Sequence, residues 1–228
     1  MDYLVELRRE LDEFGALLEG DLAAPVEHCG DWTLADLAGH MGAGNLWVVT
    51  AVREKRGDDY DEGAAPGDPA ALRAWYAGTA DELVAALSVD PDTEAWTIAP
   101  PNTVGFWRRR RTQETMVHRW DAANALGKPA PLDPELAADG VAEVFDTMAW
   151  RMVARGAATD PEQAVRLTAT DCGRSWTYGP GEPVAEVSGT AEDLLLTLWG
   201  RKPRETDALT WTGDRAAGLT VLAGPLVP

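Results

Sequence analysis

The chain has 228 residues, 45% hydrophobic and 25% charged, a globular balance that excludes a disordered chain and is long enough for one domain or two. Its 38 acidic side chains against 20 basic ones give a formal charge of -18, which excludes a general affinity for nucleic acid because a phosphate backbone needs a positive footprint. No apolar run reaches the roughly 18 residues of a membrane span. The opening Met1–Glu6 lacks the basic segment and apolar stretch of a secretory leader, and Cys29 and Cys172 make no disulfide framework. The expected setting is therefore the reducing cytoplasm, with no membrane partner.

Leu4, Leu7, Leu11, Phe14, Leu17 and Leu18 recur at threes and fours, which predicts an amphipathic helix over 4–18, closed by Gly20 and Pro25. A loop from Pro25 to Asp31 carries His28 and Cys29. Thr33 is a good cap for a second helix, and Asp36 three residues on makes a near capping box. Leu34, Leu37, Met41, Trp47 and Val48 carry that helix to about Arg56. Its Gly39, Gly42 and Gly44 each cost about 1 kcal/mol of helix propensity against alanine, so they point to close approach of a partner helix or a ligand. A loop rich in Asp, Gly and Pro over 57–69 precedes a third helix from Pro69 to Leu87, where a first-turn proline is harmless. Pro91, Pro100 and Pro101 mark 90–102 as a long loop. A fourth helix runs from about Thr103 to Leu126 and stops at Gly127. Four such helices make an antiparallel bundle the economical fold for residues 1–128.

After Pro129-Ala130-Pro131 the pattern changes. One further helix, about Pro134 to Ala154, is followed by short strands at 164–169, 175–178 and 184–187. In the first of these Val165, Leu167 and Ala169 alternate with Arg166 and Thr168. Thr190 caps a short helix over 191–199, and the tail supplies another strand or helix. Residues 129–228 are thus expected to form a small α/β domain, and the whole chain to be α+β.

Glu114 and His118 lie four apart in the fourth helix, so they leave one face a turn apart. Two histidines and a glutamate, with one position left open, are a recurrent catalytic zinc set. Taken alone, however, such a pair arises often by chance and usually forms a surface hydrogen bond. The chain has three histidines: His28 is in a loop, and His40 is in the second helix on the broad side of Leu37 and Met41. No HExxH signature is present. The run Arg108-Arg109-Arg110-Arg111 spreads around a helix and makes no single binding face. It suits a salt-bridged turn or a local attractor for a small anion. Ten tryptophans mean that many are core, so none is by itself a ligand platform.

Two ordered segments carry a family resemblance. Cys29-Gly30-Asp31-Trp32-Thr33-Leu34-Ala35-Asp36-Leu37-Ala38-Gly39-His40 resembles the Cys-x-x-Trp-Thr-x-x-Asp-Leu-x-x-His segment of the mycothiol-dependent maleylpyruvate isomerase family. Glu114-Thr115-Met116-Val117-His118-Arg119-Trp120-Asp121-Ala122 resembles its Glu-x-x-x-His-Arg-Trp-Asp-Ala segment. A third, Leu194 to Arg201, is similar to the family's second-domain motif.

The resemblance implies a bundle of the kind shared with DNA-damage-inducible and thiol-transferase-like proteins. It also implies one zinc held by His40, Glu114 and His118, with mycothiol as a dissociable cosubstrate. Zinc stabilises a thiolate at neutral pH, and in the namesake reaction that thiolate adds to a cis double bond, which rotates before the thiol leaves. The expected partner is a small anionic or electrophilic substrate, with the chain a monomer or homodimer. Arg111, on the side of Trp107, Glu114 and His118, and Arg201 are the expected cationic contacts. Trp47 and Trp120 are candidate walls, Trp47 and Trp107 candidate cofactor contacts, and Asp121 a candidate to orient a ligand histidine. Cys29 reads as a packed loop residue. Two other classes stay open: a hydrolase using metal-bound water, and a non-catalytic regulatory protein with a structural metal.

Overall fold

A computed structural model of the chain describes residues 1–58 and 63–228, so part of the loop expected over 57–69 (Asp59 to Glu62) lies outside the described residues. The chain divides into two compact units, Met1–Ala130 and Pro131–Pro228.

The first unit is a four-helix bundle: α1 (Tyr3–Leu17), α2 (Leu34–Arg53), α3 (Pro69–Leu87) and α4 (Val104–Ala125). Each helix starts on a side chain that accepts hydrogen bonds from otherwise unpaired amides, namely Asp2, Thr33, Asp68 and Thr103. At Thr33 the capping box is complete, since Asp36 also accepts from the Thr33 amide at 2.8 Å. The stripe Leu7, Leu11 and Phe14 of α1 is fully buried against Leu34, Leu37 and Met41 of α2 and Tyr76 and Leu83 of α3 in one core. α2 packs mainly on α3, and α1 on α4.

Two of the expected glycine contacts are resolved as helix and side-chain approaches. A Cβ at Gly42 would lie 2.2 Å from the Trp75 ring of α3, and one at Gly44 would lie 2.9 Å from Arg111 Nη1 of α4. α4 is almost entirely buried, polar residues included. One reason is the buried ion pair between Arg119 and Glu10 of α1, exposed by 5% and 1%. Arg108 donates to the carbonyls of Leu87 and Val89, so it caps the C-terminal end of α3. The arginine run therefore stitches the bundle together.

In the second unit α5 (Pro134–Glu143) continues through a π-helical segment, Val144–Ala149, into α6 (Trp150–Ala154). The strands β1 (Ala164–Ala169), β2 (Ser175–Tyr178), β3 (Pro183–Gly189) and β4 (Thr210–Gly213) form one mixed sheet in the order β2-β1-β3-β4. β1 and β3 are parallel, and the two outer pairs are antiparallel. α7 (Ala191–Leu198) starts at Thr190 immediately after β3 and packs on α5, while α8 (Arg215–Val221) packs against β3. The tail thus provides both a strand and a helix. The fold is α+β, a helical bundle followed by a small mixed sheet with helices. Among the described residues no helix is long and apolar enough to cross a membrane.

Candidate metal centre

α2 and α4 bring together three side chains distant in sequence. One ligand atom each of His40, Glu114 and His118 lies within 4.8 Å of the others. His40 Nε2 is 3.6 Å from Glu114 Oε1, and the two imidazole rings stand edge to face at 5.3 Å. Tetrahedral ligands at the usual bond length of about 2.0–2.1 Å lie roughly 3.4 Å apart, so modest side-chain rotation would close the set around one ion. His40 differs from a core histidine: its side chain is 40% exposed, while Leu37 and Met41 beside it are fully buried. It stands on the edge of α2 that faces a groove.

The surroundings fix which atoms are offered. His118 Nδ1 lies 3.0 Å from Asp121 Oδ2. A carboxylate acceptor makes Nδ1 the protonated nitrogen and leaves the Nε2 lone pair for a metal. Burial holds the His118 pKa below its ordinary value despite the nearby Asp121 and Glu114 carboxylates, which keeps the ring neutral, as a ligand must be.

Glu114 is gripped on one oxygen. Arg111 Nη1 donates to Oε2 at 2.8 Å, and Arg110 Nη2 stands 3.6 Å from the same atom. Oε1 is the oxygen turned to His40. Burial alone would raise the Glu114 pKa, but Arg111, Arg110 and the neighbouring His40 ring outweigh it and hold the carboxyl well below its usual range. A donor set of two imidazole nitrogens and one carboxylate oxygen fits a zinc-type divalent metal.

Arg111 is itself locked. Nη2 donates to Asn45 Oδ1 at 2.7 Å and to the Met41 carbonyl at 3.3 Å, and the side chain is 2% exposed. Asn45 is fully buried and donates in turn to Thr79. Asn45 and Arg110 were not singled out from the sequence, although a buried-type asparagine amid the apolar positions of α2 was a signal of a polar lock.

His40 and Glu114 line a groove of about 1140 Å³, walled also by Trp32, Trp47, Leu72 and Arg111 among others, with the 63–67 segment opposite α2, while His118 is buried behind them. Trp47 lines the groove and is anchored by its Nε1 donating to the Gly57 carbonyl at 3.0 Å. Trp107 is 1% exposed and supports Trp47 from behind, with ring centroids 5.3 Å apart. Trp32, also not foreseen, covers His40 at 5.0 Å. His28 lies apart, against Trp120 and Glu27. Cys29 is near the centre, its Sγ 3.8 Å from Asp121 Oδ2, and forms a second cluster with His118 and Asp121. Arg201 belongs to the second unit, where its guanidinium lies over Trp199 at 5.5 Å and donates to the Trp199 carbonyl.

An α+β protein whose helical bundle carries two histidines and a glutamate at the edge of a groove defines the class to which this chain belongs. It is a member of the mycothiol maleylpyruvate isomerase family. The family model for the mycothiol maleylpyruvate isomerase N-terminal domain matches residues 4–123, and that for the MDMPI C-terminal domain matches 135–220. Among curated relatives, an uncharacterised protein of Mycobacterium tuberculosis is 26% identical over 94% of this chain and 91% of its own length. Another from the same organism is 30% identical over 62% of this chain and 77% of its own. Among solved structures, the mycothiol-dependent maleylpyruvate isomerase has the same fold at 17% identity, with a TM-score of 0.67 over 92% of this chain and 91% of that one. A point mutant of it aligns equally well at 14% identity.

Proposed function

We propose that the protein is a zinc-dependent enzyme that uses a low-molecular-weight thiol to isomerise, or to be transferred onto, a small electrophile. Mycothiol is the thiol suggested by the family and by the solved relatives named for it. The observation that carries the reading is the gathering of His40, Glu114 and His118 at the side of a groove large enough for a thiol and a substrate together. A structural metal site is normally closed by four protein ligands, and this set supplies three, two of which, His40 and Glu114, line the groove.

A metal bound there supplies the positive charge that keeps a thiol sulfur ionised at neutral pH. The chain's own residues do the rest. His40, Glu114 and His118 hold the ion, and Asp121 fixes the tautomer and ring orientation of His118. Arg111 and Arg110 hold Glu114 ionised and present Oε1 alone. Trp47, braced by Trp107, orients the bound molecules and excludes water from one wall.

The test is a steady-state assay of zinc-loaded protein on a panel of unsaturated carbonyl electrophiles, with and without mycothiol. Turnover that needs both metal and thiol supports the reading. Thiol-independent hydrolysis would replace it with a water-activating enzyme, and no turnover across the panel would reduce it to metal binding.

A further inference from the structure

The loop between α1 and α2 brings a sulfur to the other side of the His118 ring. The Val26 amide donates to the Trp32 carbonyl at 2.8 Å, and the Cys29 and Trp32 amides donate to the carbonyls of Val26 and Cys29, so the loop doubles back on itself. Gly30 takes the turn at φ +65°, and Val26, 1% exposed, anchors one arm in the core. Three side-chain contacts dock this loop along α4. Asn124 Nδ2 donates to Glu27 Oε2 at 3.4 Å, the His28 ring lies 6.1 Å from that of Trp120, and Cys29 Sγ lies 3.8 Å from Asp121 Oδ2. The result is that Cys29, His118 and Asp121 each offer a ligand atom within 4.8 Å of the others. We propose that Cys29 Sγ, Asp121 Oδ2 and His118 Nδ1 form a seat for a thiophilic divalent ion, cadmium being the test case, and that an ion there and one held by His40, Glu114 and His118 exclude each other.

Geometry and charge both favour the seat. His118 Nδ1 and Asp121 Oδ2 are 3.0 Å apart, and Sγ is 3.8 Å from the same oxygen. Tetrahedral bonds of about 2.0–2.1 Å to nitrogen and oxygen and about 2.3 Å to sulfur place such pairs roughly 3.4 and 3.5 Å apart. Shifts of less than about half an ångström therefore bring both edges to ligand spacing. A thiolate and a carboxylate match the two charges of the ion, with a neutral imidazole beside them. At the His40 set, by contrast, Glu114 supplies one negative charge, and Arg110 and Arg111 stand against it. Balance matters here because His118 and Asp121 are buried, where an unmatched charge is costly. The sulfur selects a soft ion.

Exclusion follows from the ring itself. A neutral imidazole has one N–H and one nitrogen lone pair. With its proton on Nδ1, His118 offers Nε2 to the His40 set; with its proton on Nε2, it offers Nδ1 to Cys29 and Asp121. Filling the second seat releases the Cys29 thiol proton to solvent and moves the ring proton from Nδ1 to Nε2, and no other group changes. None of Cys29, His118 and Asp121 lines the groove. Resting on the functional reading above, an ion in this seat is out of reach of a thiol in the groove, and the seat is inhibitory.

The test uses the full chain with Cys172→Ser, which leaves Cys29 as its one cysteine. Cadmium is added to the zinc-loaded protein while ultraviolet absorbance follows the thiolate-to-cadmium charge-transfer band and a chromophoric indicator follows released zinc. The band is expected to saturate at one cadmium per chain, with one zinc released for each cadmium bound. No band at saturating cadmium overturns the seat, and a full band with zinc retained overturns the sharing of His118. Adding Cys29→Ser should abolish the band and lower the preference for cadmium over zinc by at least tenfold; an unchanged preference would overturn the sulfur as a ligand. His40→Ala removes a ligand of the other set alone, so metal-free protein carrying it should keep the band when titrated with cadmium, and loss of the band there overturns the seat. That arm holds even if the parent takes up no zinc, an outcome that would sink the zinc-enzyme reading and leave the seat standing.

Discussion

Replacing Gly44 by alanine sets two effects of known sign against each other. The exposed-helix value of glycine to alanine is a gain of about 1 kcal/mol, which alone would make the bundle more stable. The new Cβ, however, would stand 2.9 Å from Arg111 Nη1 and 3.5 Å from its Cζ and Nη2. Real contacts of this kind need about half an ångström more. Arg111 cannot move freely to provide it, because its donors are committed to Glu114, Asn45 and the Met41 carbonyl and its side chain is 2% exposed. The displacement falls on the Nη1–Glu114 bond, since Nη1 is the atom nearest the new methyl group. A hydrogen bond between charged groups contributes about 1.5–3 kcal/mol, and loosening the support of a ligand typically costs 10–100-fold in metal affinity. The expected outcome is a melting temperature of the metal-free protein within a few degrees of the parent, together with zinc affinity lower by about tenfold. Competition against a chelator of known affinity measures the second quantity, and calorimetric melting the first. A stabilised variant with unchanged zinc affinity would refute the claim that Arg111 holds Glu114 in place for the metal.

Three further outcomes follow from the same geometry. His118→Ala should abolish about one equivalent of bound zinc per chain by elemental analysis, while His28→Ala, set against Trp120 and Glu27, should retain it; loss in the second variant would redraw the ligand set. Glu10→Ala leaves Arg119 buried with only the half-exposed Glu13 at 3.2 Å, and should destabilise the bundle by about 3 kcal/mol in urea; a loss under about 1 kcal/mol would mean that water reaches the guanidinium. Thr33→Ala should cost about 1 kcal/mol at neutral pH. The Thr33 hydroxyl and amide bonds hold the Asp36 carboxyl below its ordinary pKa, so the part of the gap carried by the hydroxyl–carboxylate bond is whole above about pH 4 and is lost as pH falls through the lowered folded value, whereas the bond from the Asp36 amide to the Thr33 hydroxyl remains. The gap between the parent and Thr33→Ala should therefore narrow on acidification without closing, and a gap that does not change would contradict the capping box.

The helices were legible because their signals are local. The apolar stripe of α1, the Thr33 cap with Asp36, Pro69 at the start of α3 and Gly127 after α4 each act within a turn or two of chain, and the observed α3 runs over the expected Pro69–Leu87. The ends of α2 were less sharp: the pattern carried it to about Arg56, and it ends at Arg53 with Glu54 as C-cap. The strands at 164–169 and 175–178 were visible as alternation, while β4 was only an unassigned tail. Its four residues are mostly exposed, so they carry almost no hydrophobic period.

For the site, the sequence by itself determined the residue types and, through two motifs read together, which three side chains to consider. It fixed that Glu114 and His118 share a helix face, because four residues make about one turn. Only the tertiary structure decided that His40 comes within 3.6 Å of Glu114, since that distance depends on how α2 packs beside α4, and no local rule encodes it. The same holds for Arg111. Its spacing placed it on the side of Glu114 and His118, from which a contact with an anionic substrate was the natural expectation. Packing added what the spacing did not show: Asn45 and the Met41 carbonyl around its guanidinium and Gly44 directly over it. A buried cation must find partners within reach, and those partners come from a helix some 70 residues away in the chain.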